Sequence, residues 1–329
     1  MLKKAINDPE DIVDEVIQGI VFASHGRVRS EPKSRVILRM ELDEGRPMLL
    51  IGGGSGHEPM YAQFVGPGYA DAVAVGNVFA APTPNTILAG MRAIDRGQGV
   101  LLAYANFAGD NMNFDVAAEM AEDLGIRTMT VRAMDDIALP VSAGRRGMAG
   151  IFFLVKIAGA ACASGRDLDA ACAITTRARN ETRSLSVAFR PGSLPETGEP
   201  TFSIADDEIE IGAGGHGERG IETRKVMPAD KLVELMLERL IDDFALSRGH
   251  RVALLVNDSG ATTMMELLIV NRRVHEVLEG IGVTVVDTWI GPYVTTQEMA
   301  GFSIAMLRLD DEIEHLLAVA CKNETFLRP

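Results

Sequence analysis

Two histidines of this chain stand in glycine clusters, Gly52-Gly53-Gly54-Ser55-Gly56-His57-Glu58-Pro59 and, far downstream, Gly212-Ala213-Gly214-Gly215-His216-Gly217-Glu218. Glycine lets a backbone come close to a small ligand and adopt positive φ, and imidazole changes its charge near neutral pH. Two imidazoles mounted on such turns are laid out to face one tight site. A carboxylate in a comparable setting, Asp110, follows a glycine in Asn106-Phe107-Ala108-Gly109-Asp110.

Each of these residues also fits a plainer reading. The second cluster satisfies G-x-G-x-x-G, but a dinucleotide fingerprint runs directly into a helix, and here Glu218-Arg219-Gly220-Ile221 intervenes before Pro228, so that reading is rejected. What remains is a ligand loop or a glycine-rich turn whose histidine caps neighbouring backbone. Gly53 to His57 falls one position short of G-x-S-x-G, with His57 where the last glycine belongs, so Ser55 is not expected to be a nucleophile. His57 fits either a ligand contact or a helix-start residue. Asp110 either meets a ligand or caps a helix that starts near Asn111 or Asn113, with Asp115 a first-turn acid. No G-x-x-x-x-G-K-[ST] phosphate loop occurs. His25, His250, His275 and His315 form no H-x-x-x-H pair and are read as surface or packing residues, so no metal site is expected.

The elements that must hold these groups follow from apolar patterning. Strand-length runs at Arg35 to Leu42, Met48 to Gly52, Ala70 to Gly76, Val100 to Ala105 and Arg127 to Val131 alternate with helical spacing at Thr86 to Asp95 and Phe114 to Leu124. That alternation predicts an α/β domain with a doubly wound, mostly parallel sheet. Ligands of such sheets sit outside the carboxyl ends of the strands, where Gly52 to His57 and Asn106 to Asp110 both fall. Helical patterns at Met148 to Ala163 and Leu168 to Leu185 close this half. Arg190 to Pro200, rich in Pro, Gly and Glu, has little capacity for regular structure. A strand at Glu208 to Ile211, a helix opening near Pro228, a strand at Arg251 to Val256, a helix across Thr262 to Leu278 and strands at Val283 to Ile290 and Phe302 to Leu309 predict a second, smaller α/β domain. The expected division is 1–184 and 185–329.

The 329 residues exceed what one core usually fills, and 47% of them are hydrophobic, enough for two. A net charge of −14 argues against nucleic acid and anionic membrane as partners. Cys162, Cys172 and Cys321 give an odd count without a C-x-x-C spacing, which argues against a disulfide framework. Acidic residues come too early for a secretory signal, and no apolar run is long enough to span a bilayer, so the expected location is the cytoplasm.

Further segments recur in order between the histidine loops: Val65-Gly66-Pro67-Gly68, Phe79-Ala80-Ala81-Pro82-Thr83-Pro84, Asn106 to Phe114 and Val256-Asn257-Asp258-Ser259-Gly260. Together with both histidine loops, they make the whole chain resemble the sugar-binding K subunit of the dihydroxyacetone kinase family. The resemblance implies that His216 forms a covalent hemiaminal with the ketone carbon of dihydroxyacetone. It implies that Asp110 takes the proton of the terminal hydroxyl during phosphoryl transfer, that His57 hydrogen-bonds the sugar and assists, and that backbone groups of Gly54 and Ser55 complete the cradle. The family's all-helical nucleotide module has no counterpart here. Mg-ADP or Mg-ATP is therefore expected on a separate L-type subunit, recharged by a phosphotransferase-system protein or by exchange with ATP, with no cofactor on this chain. The K subunits of the family are homodimers, each protomer docking one L subunit.

The match departs from the family at three places. Many members carry a lysine just before the Asn-aromatic-x-Gly-Asp loop, where it donates to a sugar oxygen; here Ala105 stands there. Gly217-Glu218-Arg219-Gly220 stands where Glu-Pro-Gly is common, and Asn77 where an acidic residue is frequent. Loss of the lysine opens a second enzymatic reading, a kinase for a four-carbon ketose such as erythrulose. A third reading is a non-catalytic ketose sensor acting on a transcription factor, against which the joint presence of His57, Asp110 and His216 argues, since a sensor has no use for a base.

Overall fold

A computed structural model describes residues 4–322 and 327–328. Parts of the two chain ends, on which the leader and end-of-chain readings rest, lie outside the described residues. The chain forms two compact units, one of residues 1–133, 151–179 and 313–329, the other of 134–150 and 180–312. This differs from a single cut at 184/185. The reason lies in contacts that apolar patterning does not report: residues 134–150 pack with the second unit and the C-terminal helix with the first.

The first unit opens with α1 (Ile12–Ala23), β1 (Val28–Ser30), β2 (Val36–Arg39), β3 (Met48–Ser55) and β4 (Ala72–Val78). It continues through α2 (Pro84–Ile94), β5 (Val100–Ala105), α3 (Ala108–Glu122) and β6 (Thr128–Ala133), then α4 (Ile151–Ala163) and α5 (Leu168–Asn180). Its sheet has the order β1-β2-β4-β3-β5-β6, with β4, β3, β5 and β6 parallel and the β1 and β2 edge antiparallel. Val36, Leu38, Met48, Leu50, Leu102 and Tyr104 face α2 and α3 across one core. α4, buried from Ile151 to Cys162, packs on β3 and β5. Even-numbered strand positions meet α2 and α3, so the odd ones face the other way, as a period of two requires. α2 starts where it does because the Thr83 hydroxyl accepts from the Thr86 amide at 3.2 Å and Pro84 occupies the first helical position.

The second unit contains β7 (Thr182–Arg190), β8 (Glu208–Ile211), β9 (Glu222–Lys225), α6 (Ala229–Phe244), β10 (Arg251–Asp258), α7 (Met264–Gly280), β11 (Thr284–Gly291) and β12 (Ala300–Leu309). The chain then closes with α8 (Asp311–Ala318), β13 (Cys321–Lys322) and β14 (Leu327–Arg328). The second sheet has the order β11-β10-β12-β7-β8-β9, parallel only between β10 and β11. α6 and α7 cover it through Leu232, Met236, Leu240, Val270 and Val274. A capping box of Thr263 and Glu266 fixes the start of α7.

One element is corrected. The helical reading of Leu168 to Leu185 ends at Asn180, and Thr182 begins β7. Ser184, Leu185, Ser186 and Val187 are buried and pair with β12, Val187 with β8 as well, and a central position in the sheet overrides the helical spacing carried over from α5. The expected domain boundary near Glu181 to Arg190 thus falls on a strand interior to the second sheet.

Candidate functional site

In the first unit, β3 is the first parallel strand, and the chain winds outward from it in both directions, so the switch point lies beside β3 and β5. The carboxyl ends of these strands carry the first histidine loop and the Asp110 loop. Three glycines of the first loop each make room for a specific neighbour. A Cβ on Gly52 would lie 2.7 Å from the Ala74 carbonyl oxygen, one on Gly53 2.3 Å from the Tyr61 ring, and one on Gly54 2.8 Å from the Ala80 amide nitrogen. The Ser55 hydroxyl donates to the Gly76 carbonyl at 3.1 Å, and the Ser55 carbonyl accepts from the Phe79 amide at 2.9 Å.

His57 is buried between two rings, with Tyr61 at 6.4 Å edge-on and Phe79 at 5.3 Å between centroids. No helix starts there; the chain passes through turns, so the helix-start reading does not apply. Phe79 is a bulky residue at φ 55°, a conformation that costs roughly 1 to 3 kcal/mol and persists where surrounding contacts fix it. The neighbouring Glu58 carboxyl accepts from the Gly56 amide at 2.9 Å, yet burial pushes its pKa up.

Asp110 is not a cap. α3 opens at Ala108 with Phe107 as its N-cap residue, which makes no side-chain capping bond, and Asp110 is a buried residue of the first turn. The partial positive charge of a helix start suits an anion there. Gly109 faces the Ala81 methyl, and Asn113 donates to the Pro82 carbonyl at 2.9 Å. The segment 79–82 therefore joins the two loops, touching His57 through Phe79 and the helix of Asp110 through Ala81 and Pro82. Ala105 is the last residue of β5, buried, paired with Ala133 of β6. Asp115 lies in the body of α3 and pairs with Arg132 at 2.6 Å.

In the second unit, the loop 212–221 joins the antiparallel strands β8 and β9, which is why its G-x-G-x-x-G spacing has no helix to open. Gly212 and Gly217 take φ of 76° and 85°, values that favour glycine. The loop is closed by the Gly214 amide donating to the Glu218 carbonyl at 2.8 Å. Glu218 holds His216 twice: Oε2 accepts from the His216 amide at 2.8 Å, and Oε1 lies 3.2 Å from Nδ1. Burial pushes the Glu218 carboxyl up, but the hydrogen bond and charge of the His216 ring, with the loop amides, outweigh this and hold it at about 2. An ionised carboxylate can only accept, so Nδ1 carries the proton and, in the neutral ring, the lone pair lies on Nε2. Glu218 is a site residue that the motif reading did not single out; its signal is the H-x-E spacing itself.

Among the described residues, no group of three or more His, Cys, Asp or Glu side chains is placed to hold a metal ion, and no helix is long and apolar enough to cross a membrane. His25, His250, His275 and His315 lie elsewhere, His275 within hydrogen-bond distance of Thr288 Oγ1 at 3.2 Å.

The doubly wound first sheet, the mixed second sheet and the two histidine loops define a class. The chain belongs to the Dak1 domain family, whose model matches residues 18–325. It is 40% identical over 314 residues to a PTS-dependent dihydroxyacetone kinase 1, dihydroxyacetone-binding subunit DhaK, of Listeria innocua, covering 94% of this chain and 95% of that one. It is 35% identical to L-erythrulose 1-kinase of Mycolicibacterium smegmatis, covering 98% of this chain and 58% of the relative. Among solved structures, the dihydroxyacetone kinase of C. freundii superposes with a TM-score of 0.90 at 30% identity, covering 100% of this chain and 61% of that one.

Proposed function

We propose that this chain is the ketose-binding catalytic subunit of a dihydroxyacetone kinase, holding its substrate covalently on His216. The observation that carries the reading is the His216 and Glu218 pair, which directs the ring's lone pair to Nε2. In the step, Nε2 bonds to the ketone carbon, the carbonyl π bond breaks, and its oxygen takes a proton from solvent. The ring becomes cationic while the Glu218 carboxylate faces its Nδ1–H. Polyols such as glycerol have no electrophilic carbon and are excluded by chemistry rather than by size.

The terminal hydroxyl of the held ketose then attacks phosphorus. Asp110 accepts its proton as the bond between phosphorus and the leaving nucleotide oxygen breaks, and His57 hydrogen-bonds the sugar alongside. Gly54 and Ser55 contribute backbone groups. The donor is Mg-ATP on a separate L-type subunit, which keeps the Mg-ADP left by transfer and is recharged by a phosphotransferase-system protein or by exchange with ATP, and the complex acts in the cytoplasm. A panel of ketoses and polyols assayed with and without the cognate L subunit tests this. Ketose phosphorylation that appears only with that subunit is the expected result; ketose binding with no turnover in its presence would make the chain a sensor.

Ala105 supports a second reading of the substrate. A short side chain at the end of β5 removes a charged donor and leaves room, so the smallest ketose gains little there. A tetrulose such as erythrulose is expected to have the higher kcat/KM, and Ala105→Lys to move the ratio about tenfold toward dihydroxyacetone. Preference for dihydroxyacetone in the native protein, with an unchanged ratio in the variant, removes Ala105 as a determinant.

The active form is proposed to be a homodimer. Of the strands at 283–309, β12 is interior and only β11 offers a sheet edge. Beside it, α7 exposes Met264, Met265, Leu268 and Ile269, an apolar face of the kind that associates. Sedimentation at micromolar concentration should give the dimer mass, and Leu268→Glu with Met265→Glu should shift it toward monomer. A wild-type monomer under those conditions refutes the assembly.

A further inference from the structure

The loop that carries His216 is tied to the rest of its unit by Arg146, a residue of the 134–150 segment with no motif to mark it. The side chain is 11% exposed. Its Nε and Nη2 both donate to Asp136 Oδ2, at 2.9 and 2.6 Å, and Nη2 also donates to the Gly212 carbonyl at 3.2 Å. Gly212 is the first residue of the loop. Asp136 is fully buried; its carboxylate also accepts from the Ala138 amide at 2.9 Å, and its own amide donates to the Arg146 carbonyl at 3.1 Å. The adjacent Arg145 points elsewhere, to Asp243 of α6 and the Leu139 carbonyl, so the segment is pinned on two sides.

The remaining guanidinium nitrogen and the carboxylate that holds His216 both border Gly214. A Cβ placed on Gly214 would lie 2.7 Å from Arg146 Nη1 and 2.2 Å from Glu218 Oε2. The guanidinium and the carboxylate that holds His216 thus lie on the same side of Gly214, in space that a side chain there would enter.

We infer that Arg146, held in place by Asp136, is a positioning residue for His216: it fixes the start of the loop through Gly212 and stands beside Glu218, which selects the Nδ1–H tautomer. A planar fork serves two acceptors at once, so lysine is not an equivalent. The inference rests on the reading of His216 as the nucleophile, and its test separates the two.

The test uses the full chain with ¹⁵N-labelled histidine and ketone-labelled [2-¹³C]dihydroxyacetone, comparing wild type with Arg146→Lys, Arg146→Ala and Asp136→Asn, each checked for folding by its melting curve. Wild type should show the Nδ1–H tautomer of His216 and a tetrahedral ¹³C carbon. In Arg146→Lys and Arg146→Ala, the tautomers should mix and adduct formation should slow by about 10- to 100-fold, with Asp136→Asn between them and wild type. Arg146→Lys keeps a charge facing Asp136, so it decides the matter where Arg146→Ala does not fold. An unchanged tautomer and adduct rate in folded Arg146→Lys overturns the inference. A wild type with no adduct, but whose tautomer still depends on Arg146, overturns the covalent reading and leaves the positioning role standing.

Discussion

His216→Ala should abolish covalent attachment of the ketose. A wild-type crystal soaked with dihydroxyacetone, without a trapping reductant, should show density continuous from the imidazole Nε2 to the ketone carbon, and the variant none. Loss of a covalent bond that no hydrogen bond replaces should weaken ketose affinity by about 100-fold or more, equivalent to ~2.7 kcal/mol. Turnover should fall with it, because the hydroxyl is no longer held for transfer. The loop should survive the change: its closure by the Gly214 amide and the Glu218 carbonyl, and the acceptance of the residue 216 amide by the Glu218 carboxylate, do not involve the ring. A melting curve close to wild type therefore belongs to the expected result. Unchanged affinity together with unchanged turnover in His216→Ala would sink the covalent mechanism.

Asp110→Asn should leave ketose binding nearly intact while kcat collapses by roughly 10²- to 10⁴-fold, the usual worth of a positioned general base. The amide keeps the size and some of the hydrogen bonding of the carboxylate but cannot take a proton. Asp110 lies in the first turn of α3 and is not its N-cap residue, so the substitution leaves the N-cap position itself unchanged. Measuring the ketose dissociation constant and kcat in the reconstituted enzyme separates the roles. Weakened binding with unchanged turnover at saturation would assign Asp110 to holding the sugar instead.

Much of the architecture was legible in the chain because it rests on local patterning. The runs at Met48 to Gly52 and Val100 to Ala105 became β3 and β5, and the pattern from Thr262 to Leu278 became α7 within two residues at each end. Failures came where a long-range partner outweighs local preference. Thr182 to Leu185 continues a helical pattern but is drawn into the second sheet by β12, and α3 begins three residues before Asn111, which turns Asp110 from a cap into a first-turn residue.

For the candidate site, the residue types and their glycine settings mark His57, Asp110 and His216 as candidates beside a plainer reading of each, since close backbone approach and positive φ leave a mark in composition, and it is the family resemblance that tips the choice. Their physical states leave no such mark. That Glu218 accepts from Nδ1, that Arg146 bonds the Gly212 carbonyl, and that Phe79 sits beside His57 at positive φ all depend on which side chains converge after folding. Arg146 lies 66 residues from Gly212 in sequence. No spacing rule spans such a separation, because a hydrogen bond is set by distance in space and the route of the chain between its partners is fixed only when the sheets and helices have packed.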